Sequence, residues 1–346
     1  MRRDHSTIAH AAYADLLASL KDEAIAGVRG SPTRVVRGAK AYWYDTYRVG
    51  AEVRKTYIGE DTPEIRAKLA QIAQIVEQRV ERGKKRSRLI RILRAEGFRG
   101  ADAASGSLLS AFEKSGVFRL GGTIVGTYAF RLYEGELGVR YSLDEAAQTN
   151  DLDIASFERL SFALADVVSE PLQKLLGEFA FEAVPALDPN KVWRWKQTRQ
   201  ELLVEFLTPS FDEAEEVRPL PALGVYAQSL HHLNFLIAEP IAAALLYRSG
   251  ILVQIPRPER FAIHKLIVAD RRQAGTDALK ARKDRAQAGF LIDILAQDRP
   301  DDLAEAYENA ASCGPRWRER MAASLARMPQ AKAQLSAAGA RLALLD

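Results

Sequence analysis

Cysteine is almost missing from this chain: Cys313 is the only one in 346 residues. No internal disulfide can form, and no cysteine-based zinc site can be assembled. Histidine is scarce too, with five in all, and no two stand in a His-x-x-x-His spacing. Zinc chemistry of the metalloprotease kind is therefore a poor fit. The Gly-x-Ser-x-Gly elbow of serine hydrolases is missing, and so is Gly-x-Gly-x-x-Gly. Long apolar runs are lacking as well. The most apolar stretch, from Ile237 to Ile255, is broken by Glu239, Pro240, Arg248 and Gly250, which excludes a membrane span. "MRRDHSTIAHAAYADLL" at the start has basic residues but also Asp4 and Asp15, and no apolar core of the kind a signal peptide needs. A cytoplasmic protein is expected. The formal net charge is only +4, too small for the chain as a whole to act as a nucleic-acid sponge.

What is present is a normal globular composition, 47% hydrophobic and 27% charged, in a chain long enough for two or three domains. Positive charge is clustered. Nine Lys or Arg fall between Arg79 and Arg99 against Glu81 and Glu96, and a second basic run spans Arg271 to Arg285. Such runs attract phosphates or simply solvate a helix face.

The first segment, residues 6 to 27, spaces its apolar positions (Ile8, Ala12, Leu16, Leu20) as a helix does. "TRVVRGAKAYWYDTYRVGAEVRKTYIGED" then turns β-branched and aromatic, which predicts two or three antiparallel strands. Tyr42, Trp43, Tyr44, Tyr47 and Tyr57 stand there among Arg and Lys, suited either to stacking on bases or to filling a small sheet. A long helix follows, with Thr62 as N-cap, Pro63 at its first position and Gly97 as stop; its length suggests an arm or a break near Gly83. From Leu108 onward helix and strand alternate: helix 108–115, strand 117–125, helix 127–136, strand 150–155, helix 157–176, then strands near 180–184, 192–197 and 201–207. After Leu220 the pattern reads as almost wholly helical, with His231 and His232 inside a packed helix. The expected division is 1–100 (accessory helix, β-hairpin and basic helix), 101–220 (mixed α/β core) and 221–346 (C-terminal helical domain).

Chemistry concentrates in "QTNDLDIAS". In a strand, residues i and i+2 share a face, so Asp151 and Asp153 project together while Leu152 and Ile154 enter the core. Such a pair either opens a strand in solvent or holds a cation between its carboxylates, and Mg²⁺ takes oxygen ligands while keeping waters and substrate phosphates in its shell. A two-metal site needs a third carboxylate, and Glu205 in "ELLVEFLTP" stands in the right sort of strand. Upstream, Gly126 and Thr127 open a helix after "FRLGGTIV", where backbone N–H groups and the helix dipole favour a phosphate. Gly121 and Gly126 have the glycine spacing of a Walker A loop, yet Thr127 and Tyr128 stand where Lys and Ser/Thr are required.

Taken in order, "VGTYAF", "TNDLDI", "EFLTP" and "VQIPRPERFAIHKLIVADRR" resemble the DNA polymerase β-like nucleotidyltransferase superfamily. The likeness is to bacterial nucleotidyltransferase-fold proteins akin to abortive-infection toxins of the AbiEii type, and it covers roughly residues 33 to 295. The resemblance implies an α/β nucleotidyltransferase core of mixed sheet, flanked by the N-terminal hairpin and basic helix and by the C-terminal helical part. It implies that Gly126 and Thr127 hold the triphosphate of an NTP, that Asp151 and Asp153 bind Mg²⁺, and that Glu205 completes the metal site or acts as base. The superfamily usually carries Asp at that last place; Glu reaches about 1.5 Å further, and Glu201 is a substitute on the same strand. Lys265 matches the family's helix lysine, placed to meet the triphosphate or to support the site, and a Lys–Asp pair drawn from Lys280, Lys283 and Asp284 braces the helical part.

The reaction so implied is transfer of a nucleoside monophosphate to an acceptor hydroxyl, with loss of pyrophosphate. The acceptor stays open between RNA, such as a tRNA end, and a protein hydroxyl; a toxin would bring a cognate antitoxin as partner. Two other classes remain: a catalytically silent relative that binds nucleic acid or a protein, favoured by Glu205, and a small-molecule transferase, which would need an acidic pocket.

Overall fold

The computed structural model describes residues 3–25, 31–49, 52–141, 151–157, 167–168, 171–186, 188–198, 201–211, 214–272 and 277–342. In chain order the first elements are α1 (Thr7–Ile25), β1 (Ser31–Arg37), β2 (Lys40–Val49), β3 (Glu52–Glu60), α2 (Pro63–Ala95), α3 (Ala103–Ser115), β4 (Thr123–Val125), α4 (Gly126–Leu137) and β5 (Asp151–Ala155). There follow α5 (Leu172–Glu178), β6 (Phe181–Ala183), β7 (Arg194–Gln197), β8 (Leu203–Pro209), β9 (Val217–Leu220), β10 (Val225–Leu230), α6 (Leu233–Leu236), β11 (Ile241–Leu245) and β12 (Ile251–Ile255). The rest is helical: α7 (Pro258–Arg271), α8 (Ala278–Asp298), α9 (Pro300–Ser312), α10 (Pro315–Ala326) and α11 (Pro329–Ala337).

β1, β2 and β3 form a separate antiparallel sheet. Asp61, just past it, ties the sheet to the start of α2: it accepts from Trp43 Nε1 at 2.9 Å, Arg34 Nε at 2.8 Å and Arg66 Nε at 2.7 Å. Thr62 caps α2 by accepting from the Ile65 amide, with Pro63 at the first turn where a missing N–H costs nothing. α2 runs unbroken through Gly83 for about 50 Å, so of the arm and the break that its length allows, the break does not occur. Its second half is fixed by a face of Arg86, Ile90 and Leu93 that packs on α1, with the buried Arg86 paired to Glu23 and donating to the Ser249 carbonyl at 3.0 Å. That support holds the glycine in helical geometry despite its propensity cost.

The central sheet runs β4-β5-β8-β10-β9, with β7 against β8 and β6 against β7. β5, β8 and β10 are parallel; β4, β7 and β9 pair antiparallel to their neighbours, so the sheet is mixed. Helices α3, α4, α7 and α8 contribute to a single core that spans Leu108 to Ala340 and is continuous across residue 220.

Several local expectations are corrected. Residues 117–121 form turns after the left-handed Gly116, so the strand expected over 117–125 shortens to Thr123–Val125. The part after Leu220 is not wholly helical: β10, β11 and β12 lie there, and helices dominate only from Pro258. "IAAAL" in β11 has helical propensity, but Pro240 precedes it and the positive-φ pair Arg248 and Gly250 turns the chain back onto β12. Pairing outweighs propensity over so short a segment. His231 and His232 therefore sit in the turn after β10, not in a helix; His232 is left-handed (φ 69°) and packs edge-on against Trp317 at 4.4 Å between ring centres. Of the helix expected over 157–176, residues 158–166 and 169–170 lie outside the described residues, while Leu172–Glu178 is helical. Among the described residues no helix is long and apolar enough to cross a membrane.

Candidate active site

Strand register brings the acidic residues together. Asp153 stands opposite Val125 on antiparallel β4 and opposite Glu205 on parallel β8. Paired residues of adjacent strands point to the same face, so Asp153 and Glu205 meet side by side, with Asp151 two residues back along β5. Leu152 and Ile154 are fully buried on the other face and lock this register, because a one-residue slip would expose both.

Gly126, the first residue of α4, closes against Asp153. Its φ is +64°, and a Cβ there would lie 2.2 Å from Asp153 Oδ2. Only glycine lets the backbone pass this close to the carboxylate in this conformation. Gly126→Ala is accordingly expected to displace the Asp153 carboxylate, lower transfer at least tenfold and destabilise the fold by about 1 kcal/mol or more. Initial rates and urea melts of the variant check both; a variant as active as the parent would show the contact to be unimportant. Thr127 is anchored by the fully buried Gln287 of α8, whose Nε2 donates to the Thr127 hydroxyl at 3.3 Å.

Charge shapes the site. Burial first, then the carboxylates of Glu205 and Asp151, push the Asp153 carboxyl up to about 7, against the pull of Lys265 and Arg272. Glu205 is raised as well, by burial and by Asp151, while Arg194, Lys280 and a hydrogen bond with Asp153 oppose the rise. Arg194 Nη1 lies 3.9 Å from Glu205 Oε1, reaching across from β7. Glu201 is no substitute: it precedes β8, exposed and in a left-handed conformation (φ 53°), away from the strand face.

Lys265 points into the same region but is already engaged. Its Nζ donates to Asp284 Oδ1 at 2.5 Å, and Arg272 Nη1 holds the other oxygen of Asp284 at 2.8 Å. Asp284 is almost fully buried, and the Lys–Asp brace expected from Lys280 or Lys283 is built instead with Lys265, between α7 and α8. Lys283 feels the same carboxylates: burial and Lys265 lower its pKa, against the opposing pull of Asp284, Asp151 and Asp153. Arg272 falls in the quoted "VQIPRPERFAIHKLIVADRR" segment, but no motif singles out Arg194 or Gln287. The available signal was periodicity, since Lys280, Lys283, Asp284 and Gln287 recur at three- and four-residue steps on one helix face.

The result is an acidic floor on β5 and β8 facing a basic wall from α7 and α8, with a helix start between them. Among the described residues no three His, Cys, Asp or Glu side chains are gathered tightly enough to hold a metal ion unaided. The donor set nevertheless suits a hard cation that keeps waters and takes part of its shell from phosphate oxygens.

Neither characterised proteins nor solved structures yield a match to this chain. Residues 9–67, from α1 to the start of α2, match the model of a domain of unknown function (DUF6788). Residues 103–312, from the first residue of α3 to the last of α9, match the family model described as nucleotidyltransferase. That match covers more than half of the chain and contains the whole acidic floor and basic wall, so the protein belongs to this nucleotidyltransferase family and is a transferase of nucleotidyl groups.

Proposed function

We propose that the protein transfers a nucleoside monophosphate from an NTP to an acceptor hydroxyl, in the manner of polymerase β-like enzymes, with Mg²⁺ as cofactor. The observation that carries this reading is the contact of Asp153 with both the Gly126 helix start and Glu205. Metal-ligating carboxylates and a phosphate-binding helix start are useful together only when metal and triphosphate arrive as one ligand.

Asp151 and Asp153 would hold Mg²⁺, with Glu205 as a third ligand or as the base that accepts the proton of the attacking hydroxyl. When bound, Mg²⁺ supplies charge neutralisation at the phosphate oxygens and polarisation of the α-phosphorus. The Gly126 and Thr127 amides orient the phosphates, and Gln287 fixes the Thr127 side chain. Lys283, near the aspartates, faces the developing negative charge on the leaving pyrophosphate. Lys265, neutralised by Asp284, positions α7 against α8 and tempers the field at Asp153. Arg194 holds Glu205 in place until a cation displaces that ion pair.

The likeness to AbiEii-type toxins supports RNA, a tRNA end included, or a protein hydroxyl as acceptor, and a toxin or phage-defence role with a cognate antitoxin. The test is transfer of α-labelled nucleotide from each of the four NTPs, with Mg²⁺ and total bacterial RNA, beside an Asp151→Asn/Asp153→Asn control. Label in RNA or protein that the control lacks supports the reading and names the acceptor class. No label with any NTP, and no Mg²⁺-dependent nucleotide binding, would reject it.

A further inference from the structure

The aromatic residues of the N-terminal sheet divide between its two faces. Trp43 is consumed by Asp61 at the root of α2, and Tyr47, four residues further along the same face of β2, packs against the main core. Both have structural work. Tyr42 and Tyr44 point to the other face, where cross-strand pairing sets Tyr44 opposite Tyr57 and Thr33. The three tyrosine rings form one surface, with Tyr57 centred 5.6 Å from Tyr44 and 6.2 Å from Tyr42. Tyr57 is 56% exposed on this surface and Tyr42 and Tyr44 are half-buried beside it, although aromatic rings on a folding sheet gain most by burial.

Cations rim it. Arg37 lies over the Tyr44 ring at 6.0 Å, Lys55 is exposed on the same face of β3, and Lys40 stands at the β1–β2 turn, paired with Glu60. Farther along the chain, α2 presents Lys84, Arg88 and Arg91 at i, i+4 and i+7, all exposed and opposite the face that packs on α1. A set of accessible rings flanked by Arg and Lys is what unpaired bases on a phosphate backbone require: rings to stack on, cations for the phosphates. A duplex hides its base faces and cannot use the rings, and an acidic protein would use the cations alone.

We propose that the Tyr42–Tyr44–Tyr57 face of the N-terminal sheet is a binding platform for single-stranded RNA. The phenolic hydroxyls on that face supply partners for the ribose 2′-hydroxyls, which favours RNA over DNA. The inference deepens the acceptor reading of the proposed transfer reaction and assigns a role to the segment of unknown function.

The test is fluorescence anisotropy of a labelled, unstructured 15-mer RNA with the full chain, without NTP or Mg²⁺. Tyr44→Leu/Tyr57→Leu is expected to weaken binding on the order of tenfold or more, and Arg37→Gln/Lys55→Gln to flatten its dependence on salt. Tyr57→Ser alone, at a mostly exposed position, serves should the double variant fail to fold. Unchanged affinity in the tyrosine variants overturns the proposal; so does binding of the same-sequence DNA strand or of duplex RNA as tight as that of the RNA strand. The measurement is repeated with Asp151→Asn/Asp153→Asn. RNA binding that survives in that variant keeps the platform even if transfer fails, whereas label transferred to protein with no RNA binding keeps the enzyme and removes the platform.

Discussion

Replacing Asp153 by asparagine is expected to abolish nucleotidyl transfer and, at the same time, to raise the melting temperature of the ligand-free protein at pH 8. The two effects share one cause. The Asp153 carboxyl is placed where burial, Glu205 and Asp151 all disfavour its charge, and its pKa rises to about 7. Such an arrangement is unfavourable to the fold alone and becomes favourable once a cation and phosphates fill the site. Asparagine keeps the shape, removes the charge and relieves the repulsion, but offers a poor ligand for a hard cation. A loss of about a thousandfold or more in transfer is expected, with a gain in stability on the order of 1 kcal/mol.

The pH dependence fixes the sign. The folded-state pKa of Asp153 lies above its unfolded value of 3.8, so the stability tied to its protonated form is complete below the ordinary carboxylate range and is lost as pH rises through about 7. The advantage of Asp153→Asn in thermal melts should therefore be small at pH 5 and full at pH 8. Asp151→Asn provides the contrast, since Asp151 is exposed at the edge of the site: activity should fall with little change in stability. A destabilised Asp153→Asn at pH 8 would mean that the carboxylate is structurally satisfied, and the case for a cation would lose its electrostatic support.

Much of the site could be read locally. Alternation in "DLDIA" places Asp151 and Asp153 on one face, and the Val125-Gly126-Thr127 step marks a strand passing into a helix. Thr62, Pro63 and Gly97 bracket α2 through chemistry that acts within a few residues. What could not be read depends on partners distant in sequence. The register that sets Asp153 beside Glu205 is a parallel pairing across a long crossover, and no local pattern fixes it. Composition lists five aromatics in the N-terminal strands but not the bulge between Trp43 and Tyr44 or the hub at Asp61 that assign them to faces. β11 looked helical because its alanines are indifferent to a strand and favourable to a helix; its partner β12 decides the matter. Lys265 carried the right motif, yet its partner on α8 determines whether it can reach a phosphate.

Removal of that partner should give the largest stability change in the chain. Asp284→Ala is expected to cost about 3–5 kcal/mol, read from urea denaturation at pH 7.5. The carboxylate is buried between Lys265 and Arg272, and Lys265 is itself almost wholly enclosed against Phe261. Without Asp284, Lys265 is left enclosed and without its partner, whereas Arg272, partly exposed, turns to solvent. Lys265→Met/Asp284→Leu separates structure from function. Replacing a buried pair by apolar side chains of similar size is often neutral, so stability should return to within about 1–2 kcal/mol of the parent. Transfer should not return in full, because Lys265, the larger of the two cationic pulls on Asp153, is gone and Arg272 has lost the Asp284 carboxylate that holds it. Full recovery of both would reduce Lys265 and Asp284 to a brace between two helices. A cost below about 1 kcal/mol for Asp284→Ala would show that water reaches the pair, and the basic wall would then owe its position to helix packing alone.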